Sequence, residues 1–361
     1  MRLERGVALS ARYLESACGG NGKFAYRLDP NSGQLSSSYN VVRHAGAIYA
    51  LGMLNHSHPD RAAVDAMRRA SLFMRANYIG PEARSDALVV WSRPLPAASN
   101  ADLGATGLGL VALASLDQIQ PDAIPSTDLE GLGRFILFLQ RGDGSFVSKY
   151  REDIGAVTDW DSLYYPGEAA LGLISLFEVD HDPQWLDGAG RSLSFLARSR
   201  AGVPEVPPDH WALIATARFL PYCRQEACPV SRAELIDHAA RVADRFLRDQ
   251  VRNPADARLD GAFDAAGRTT PTAIRLEGLL AALEFLPDDA TGRRAKIKAA
   301  VERGVAFLLR AQIKSGPYAG GMPGAVLSRS DPRASDIRID YVQHALSAWL
   351  RYQEMFPAQK Q

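Results

Sequence analysis

Two kinds of helical pattern alternate along the chain. In segments 61–78, 129–140, 183–198, 232–251 and 292–312 apolar residues return every three to four positions and charges fill the opposite side. This spacing predicts amphipathic helices with one buried face. Segments 39–54, 101–116, 166–177, 210–220, 271–286 and 341–355 are apolar nearly all round and rich in Ala and Gly, which predicts burial on every side. Gly46, Gly52, Gly104, Gly107, Gly109, Gly172 and Gly278 lie in these segments and let neighbouring helices approach closely. Residues 1–17 form one more amphipathic pattern, with Arg2, Glu4, Arg5, Arg12 and Glu15 on its polar side. Pro- and Gly-rich stretches separate the helices. In 22–38 the turn Asp29-Pro30-Asn31-Ser32-Gly33 between short alternating runs predicts a small β-hairpin, and 251–270 reads as a long surface loop.

Six charged and six apolar helices in alternation predict an all-α fold, an (α/α)6 toroid with inner and outer helix rings, spanning 1–361 as one domain. The apolar helices share a second feature, because polar or aromatic residues occupy only their first turns. The starts read Tyr39-Asn40-Val41-Val42-Arg43-His44, Asn100-Ala101-Asp102, Tyr164-Tyr165-Pro166-Gly167-Glu168, Asp209-His210-Trp211, Thr272-Ala273-Ile274-Arg275-Leu276-Glu277 and Asp336-Ile337-Arg338-Ile339-Asp340-Tyr341. In an alternating toroid all inner helices run the same way. These starts are therefore expected to converge on one face, where helix N-termini favour carboxylates and anionic ligands.

Composition narrows the partners. The 361 residues carry 41 basic and 41 acidic side chains, a formal net charge of zero without a basic stripe, which argues against nucleic acid. No apolar run reaches the roughly 18 residues of a membrane span. The first residues lack the apolar stretch of a secretion signal, so the expected location is cytoplasmic as written, or periplasmic if a leader has been removed. Cys18, Cys223 and Cys228 are too few for a disulfide framework. Cys223 and Cys228 can pair or bind metal, but fit no zinc pattern, and a structural or incidental role is expected. There is no phosphate-binding loop, nucleophile elbow or dinucleotide fingerprint, and neither cofactor nor metal is expected.

Over its whole length the chain resembles the α/α toroids. These include six-hairpin glycosidases, sugar epimerases of the N-acylglucosamine 2-epimerase and glucuronyl C5-epimerase type, and terpenoid cyclase/prenyltransferase toroids. Gln140-Arg141-Gly142-Asp143-Gly144-Ser145-Phe146 is similar to the turn repeat of the terpenoid group, and Ala311-Gln312 followed by Gly320-Gly321-Met322 is a weaker echo. The acidic motifs of terpene cyclases are absent; Asp159-Trp160-Asp161-Ser162 is the nearest approach. Tyr164-Tyr165-Pro166-Gly167-Glu168-Ala169 is similar to inner-helix sequences of sugar-active toroids. The resemblance implies fold and ligand class, and transfers no catalytic residue.

Candidate chemistry lies at the helix starts. Asp336, Asp340 and His344 follow i, i+4 spacing, so one helix would present all three on one side with Gln343 beside them. They form an acid/base face, or else a capped start with Asp340 and His344 as a satisfied pair. Asp159, Asp161 and Glu168 lie close to Trp160, Tyr164 and Tyr165, the mixture of carboxylates and rings that saccharide sites use. Alternatively, Asp161 or Ser162 caps the helix with Glu168 as capping-box partner. Arg275 and Glu277 either bind an anionic group or pair with each other. Arg43 with His44, Asp209 with His210 and Trp211, and Arg338 with Tyr341 complete the expected binding set.

The leading expectation is a glycoside hydrolase that uses two of Asp159, Asp161, Glu168, Asp336 and Asp340 on a saccharide or other small polar ligand, possibly anionic. The alternatives are a sugar epimerase or lyase working through His44, His210 and His344, a terpenoid-type toroid, and a non-catalytic binding or scaffold domain. The oligomeric state is left open.

Overall fold

The computed structural model describes residues 2–97, 99–223, 230–327 and 333–357. Cys228 lies outside them, so the reading of Cys223 and Cys228 as a pair or a metal site falls outside the described residues. Among the described residues there are twelve α-helices. These are α1 (Arg2–Ala17), α2 (Val41–Ser57), α3 (Arg61–Tyr78), α4 (Leu103–Ile119), α5 (Ser126–Phe138) and α6 (Tyr165–Asp180), then α7 (Pro183–Ser199), α8 (His210–Phe219), α9 (Arg232–Asp249), α10 (Thr269–Phe285), α11 (Arg293–Ala311) and α12 (Ile339–Met355). The even-numbered helices are the apolar ones and the odd-numbered the charged ones. No described helix is long and apolar enough to cross a membrane.

Among the described residues seven short strands accompany the helices: β1 (Arg27–Leu28), β2 (Ile79–Pro81), β3 (Leu88–Val90), β4 (Asn100–Asp102), β5 (Lys149–Arg151), β6 (Gly155–Val157) and β7 (Ile337–Arg338). The chain divides into two compact units. The first comprises Met1–Tyr39, Ala50–Ala70 and Ala243–Gln361, the second Asn40–Tyr49 and Ser71–Val242.

In the second unit α6 packs against α4, α7 and α8. Glycines make the α4–α6 approach possible. A β-carbon on Gly172 would lie 2.7 Å from the Gly107 carbonyl oxygen, and one on Gly107 would lie 2.7 Å from that of Glu168. The two backbones are therefore in direct contact, and any side chain at either glycine would push them apart. Strands β4, β5 and β6 form an antiparallel sheet in which Asp102 faces Lys149 across the ladder. This sheet was not expected from the helical periodicity, because its strands are only three residues long.

In the first unit α10 packs on α11 and α12, and α12 also packs on α1. The expected turn in 22–38 is present. The Asp29 N–H donates to the Gln34 carbonyl at 3.0 Å, and Leu28 bridges Leu35. The fuller partner of β1 is distant in sequence, however, since Arg27 pairs with Arg338 and Leu28 with Ile337. The Ile339 N–H then donates to the Tyr26 carbonyl at 3.1 Å, which fixes the start of α12.

A single turn design recurs four times. Cys18, Gln140, Gln250 and Gln312 each follow a charged helix. The next residue in each case, Gly19, Arg141, Val251 or Ile313, donates its N–H at 2.8–3.0 Å to Lys23, Ser145, Ala262 or Gly321. Its carbonyl accepts from Gly22, Gly144, Gly261 or Gly320. These four glycines have φ between 85° and 92°, where a side chain is strained. Each glutamine ties the turn to the backbone of another charged helix. Gln140 Nε2 donates to Gly188 at 2.8 Å, Gln250 Nε2 to Ala300 at 2.7 Å and Gln312 Nε2 to Gly6 at 2.8 Å. Cys18 stands in the glutamine position and its Sγ meets the Ala66 carbonyl at 3.5 Å.

This design predicts a steep cost for side chains at the turn glycines. At Gly144 a β-carbon would lie 2.5 Å from the Arg191 carbonyl oxygen, and at Gly320 it would overlap the Leu9 carbonyl. Gly144→Ala and Gly320→Ala should each lower the unfolding free energy by about 2–3 kcal/mol in urea titrations. Gly142→Ala, where nothing lies within 4 Å, should change it by less than about 0.5 kcal/mol.

Candidate functional site

Each unit holds a polar cluster at the starts of its apolar helices. In the second unit Glu168 lies in the first turn of α6, only 5% exposed, and its Oε2 has no hydrogen-bond partner among the described residues. Gly104 of α4 makes room for it, because a β-carbon there would overlap both Glu168 Oε2 and the Tyr165 ring. Burial, then the nearby Asp209 and Asp102 carboxylates, pushes Glu168 up to about 8. At neutral pH it is therefore mainly a neutral carboxylic acid that carries a proton. The Tyr165 hydroxyl is also pushed up, by burial and then by Asp102 and Glu168, against the opposing charge of Arg43.

Asp102 lies at the end of β4 and accepts from Ser92 Oγ at 3.1 Å. Burial raises its carboxyl, against the Ser92 hydrogen bond and the Lys149 charge. Lys149 Nζ sits 4.1 Å from the Trp160 ring centroid, and that ring stands edge-on to Tyr165 at 5.8 Å. Trp160 is 42% exposed, so an aromatic surface lies beside charged and proton-carrying groups. Asp102 and Lys149 were not among the expected site residues. The signal for Asp102 was its place at an apolar helix start; Lys149 lies on a strand that the periodicity did not reveal.

The start of α8 rests on a buried network in the same unit. The Asp209 carboxylate caps the helix by accepting from the Ala212 N–H at 3.0 Å and takes Arg200 Nη1 at 2.9 Å. His238 Nε2 lies 3.4 Å from the same guanidinium nitrogen. Burial, then Arg200 and Arg241, pulls His238 down to about 3 and keeps it neutral. The network fixes His210, whose ring packs between Tyr164 at 5.2 Å and Trp211 at 4.9 Å. His44 is fully buried, with its ring 5.6 Å from that of Phe73.

In the first unit Glu277 of α10 and His344 of α12 form a close pair, with Oε2 and Nδ1 2.8 Å apart. The Glu277 side chain is 1% exposed and that of His344 13%. Arg338 binds Asp340 through two nitrogens, at 2.5 and 2.9 Å, and stacks 4.3 Å from the Tyr341 ring centroid.

Several expected groupings therefore change. Asp336 is not on α12, which starts only at Ile339; it lies before β7 and faces Arg27 at 3.7 Å. Asp340 pairs with Arg338, not with His344. Arg275 pairs with Asp249 at 3.4 Å, not with Glu277. Asp159 and Asp161 are exposed in the loop before α6. Ser162 Oγ, not Asp161, accepts the Tyr164 and Tyr165 N–H groups at 3.2 and 3.4 Å. Glu168 does not complete a capping box, since its N–H bonds the Tyr164 carbonyl and its Oε2 has no partner among the described residues.

No protein-family model matches the chain, and no curated protein sequence matches it. Solved structures do. A sugar epimerase from a ruminal bacterium superposes with a TM-score of 0.74 at 12% identity, covering 97% of this chain and 98% of that one. A D-mannose isomerase gives 0.72 at 11% identity, over 97% of each chain. An α-1,6-mannanase from a Salegentibacter species gives 0.68 at 11%, over 98% of this chain and 100% of that one. At such identities the likeness shows the fold, which is the (α/α)6 toroid of the six-hairpin and sugar-epimerase-like proteins.

The two shifted groups predict opposite pH dependences of stability. Glu168 carries a raised value, so its contribution is complete below about 4.5 and is lost as pH rises through about 8. Glu168→Gln should gain stability relative to the parent over that interval and keep the gain above it. His238 carries a lowered value, so stability is lost as pH falls from about 6.5 towards about 3. His238→Gln should flatten that acid limb. Urea midpoints measured from pH 4 to 9 check both slopes.

Proposed function

We propose that the chain is a carbohydrate-active enzyme that moves protons at the reducing end of a sugar, as an epimerase or aldose–ketose isomerase, with His344 as its base. The Glu277–His344 pair carries this reading. The Glu277 carboxyl 2.8 Å from Nδ1, nearer than Gln343 Nε2 at 3.3 Å, favours the hydrogen on that nitrogen and the basic lone pair on Nε2. The same contact orients the ring. An imidazole oriented this way suits removal of the proton beside the carbonyl of an open-chain sugar. The resulting enediol is reprotonated at the same carbon from the opposite face, giving an epimer, or at the neighbouring carbon, giving the ketose.

Two observations support the ligand class. Two of the solved structures that share the fold are a sugar epimerase and a D-mannose isomerase. In the second unit, Trp160 beside Lys149, Tyr165 and the proton-bearing Glu168 offers a ring surface with hydrogen-bonding groups, as sugars require.

A glycoside hydrolase is the second reading, favoured by Glu168, whose retained proton suits a general acid. The other expected members of a carboxylate pair are less suited. Asp336 and Asp340 each face an arginine, and Asp159 and Asp161 are exposed.

Incubation with reducing sugars in heavy water separates the readings. Epimerisation should place deuterium at C2 of the aldose, and isomerisation at C1 of the ketose, both seen by proton NMR. His344→Asn should slow that exchange by about 100- to 10,000-fold, and Glu277→Gln should slow it less and alter its pH profile. If no sugar exchanges while a glycan is cleaved and Glu168→Gln stops the cleavage, the hydrolase reading replaces this one.

A further inference from the structure

A groove in the first unit, beside the Gln312 turn and apart from the residues of the proposed sugar site, collects positive charge over an apolar floor. Its volume is about 540 Å³, and it runs between α1 and the end of α11. Arg2, Arg5, Arg310 and Lys314 stand around it, Leu9 and Leu309 line it, and no acidic residue does. Among the described residues none of the four cations has an ion pair with an acidic side chain. Arg310 donates instead to the Asp260 carbonyl, and Lys314 Nζ donates to Gln312 Oε1 at 2.8 Å.

The cations are concentrated at one helix end. Arg2 and Arg5 lie in the first turn of α1, where the helix presents partial positive charge, and Glu4 of the same turn does not line the groove. Burial, then the charge of Arg5, pulls Lys314 down to about 8. An anion would relieve both effects. The volume falls in the range of small-molecule sites, and the leucines offer cover for an apolar group.

We propose that this groove binds a small amphiphilic anion, with a carboxylate or phosphate held by Arg2, Arg5 and Lys314 and an aliphatic body laid over Leu9 and Leu309. The occupant needs both parts, because the cations alone would hold any anion weakly in water.

The site is independent of the proposed sugar chemistry and is tested without it. Octanoate is titrated against the full chain by calorimetry and thermal unfolding, with acetate as the head group alone. Octanoate should raise the melting temperature with concentration, whereas acetate at the same concentrations should not. The double variant Arg5→Gln/Lys314→Gln, checked for native circular dichroism, should weaken octanoate binding by about tenfold or more. Equal shifts from acetate and octanoate would reduce the groove to a general anion surface and overturn the proposal. So would octanoate binding that the double variant leaves unchanged. Sedimentation of the chain with anionic phospholipid vesicles, without an octanoate shift, would assign the groove to a membrane surface instead.

Discussion

A helix that is apolar on every side can carry polar chemistry where its apolar run stops, or inside the run where a buried charge meets a partner. The even-numbered helices obey this limit. In α4 the buried residues run almost unbroken from Leu103 to Leu116, and in α10 Leu276, Leu279, Leu280 and Leu283 are all buried. A charge without a partner in the middle of such a run would lose its hydration at a cost of several kcal/mol. Asp102, Glu168, Asp209 and Asp340 lie instead within the first turns of these helices or just before them, and Glu277, inside the apolar run of α10, has His344 as its partner. Tight packing of the helix bodies thus dictates where titratable groups can stand.

What each of those carboxylates can do is then set by its partner. Asp340 and Asp209 face guanidinium groups and act as anchors, Asp209 also capping α8 through the Ala212 N–H. Glu277 faces an imidazole and orients it. Glu168 keeps its proton because it is buried, and the Asp209 and Asp102 carboxylates add to that effect. The same functional group therefore serves as anchor, orienting group or acid, depending on its burial and on the groups beside it. Replacing a partner, with the carboxylate itself untouched, should change its role.

Most of the architecture was legible in the alternation of amphipathic and all-apolar segments, because that alternation records burial directly. Predicted and observed helix limits differ by a few residues at most: 39–54 became Val41–Ser57, and 166–177 became Tyr165–Asp180. The site was less legible, because pairing depends on contacts between segments far apart in sequence. Nothing in the spacing of Arg338 and Asp340 separates them from Asp340 and His344 as partners; the pairing is decided where β7 gives way to α12, with Arg338 on the strand and Asp340 in the first turn of the helix. Lys149 escaped notice for a similar reason, since a three-residue strand leaves no period to read. Two of the four repeated turns were visible as Gln-to-Gly motifs. The other two were hidden by a cysteine in the glutamine position and by the longer insert between Val251 and Gly261.

These turns link the two levels of organisation. Each one follows a charged helix and leads towards the start of the next apolar helix, namely α2, α6, α10 or α12. After the turn at Gln140 the chain enters β5, which sets Lys149 opposite Asp102. After the turn at Gln312 it reaches β7, whose pairing with β1 fixes the start of α12 and hence Asp340 and His344. Because the turn is held by backbone hydrogen bonds and a glycine conformation, the intervening side chains can vary without moving the helix start. Polar chemistry can therefore change at the apolar helix starts while the turn before them stays constant, as the different residues at the starts of α6, α10 and α12 illustrate.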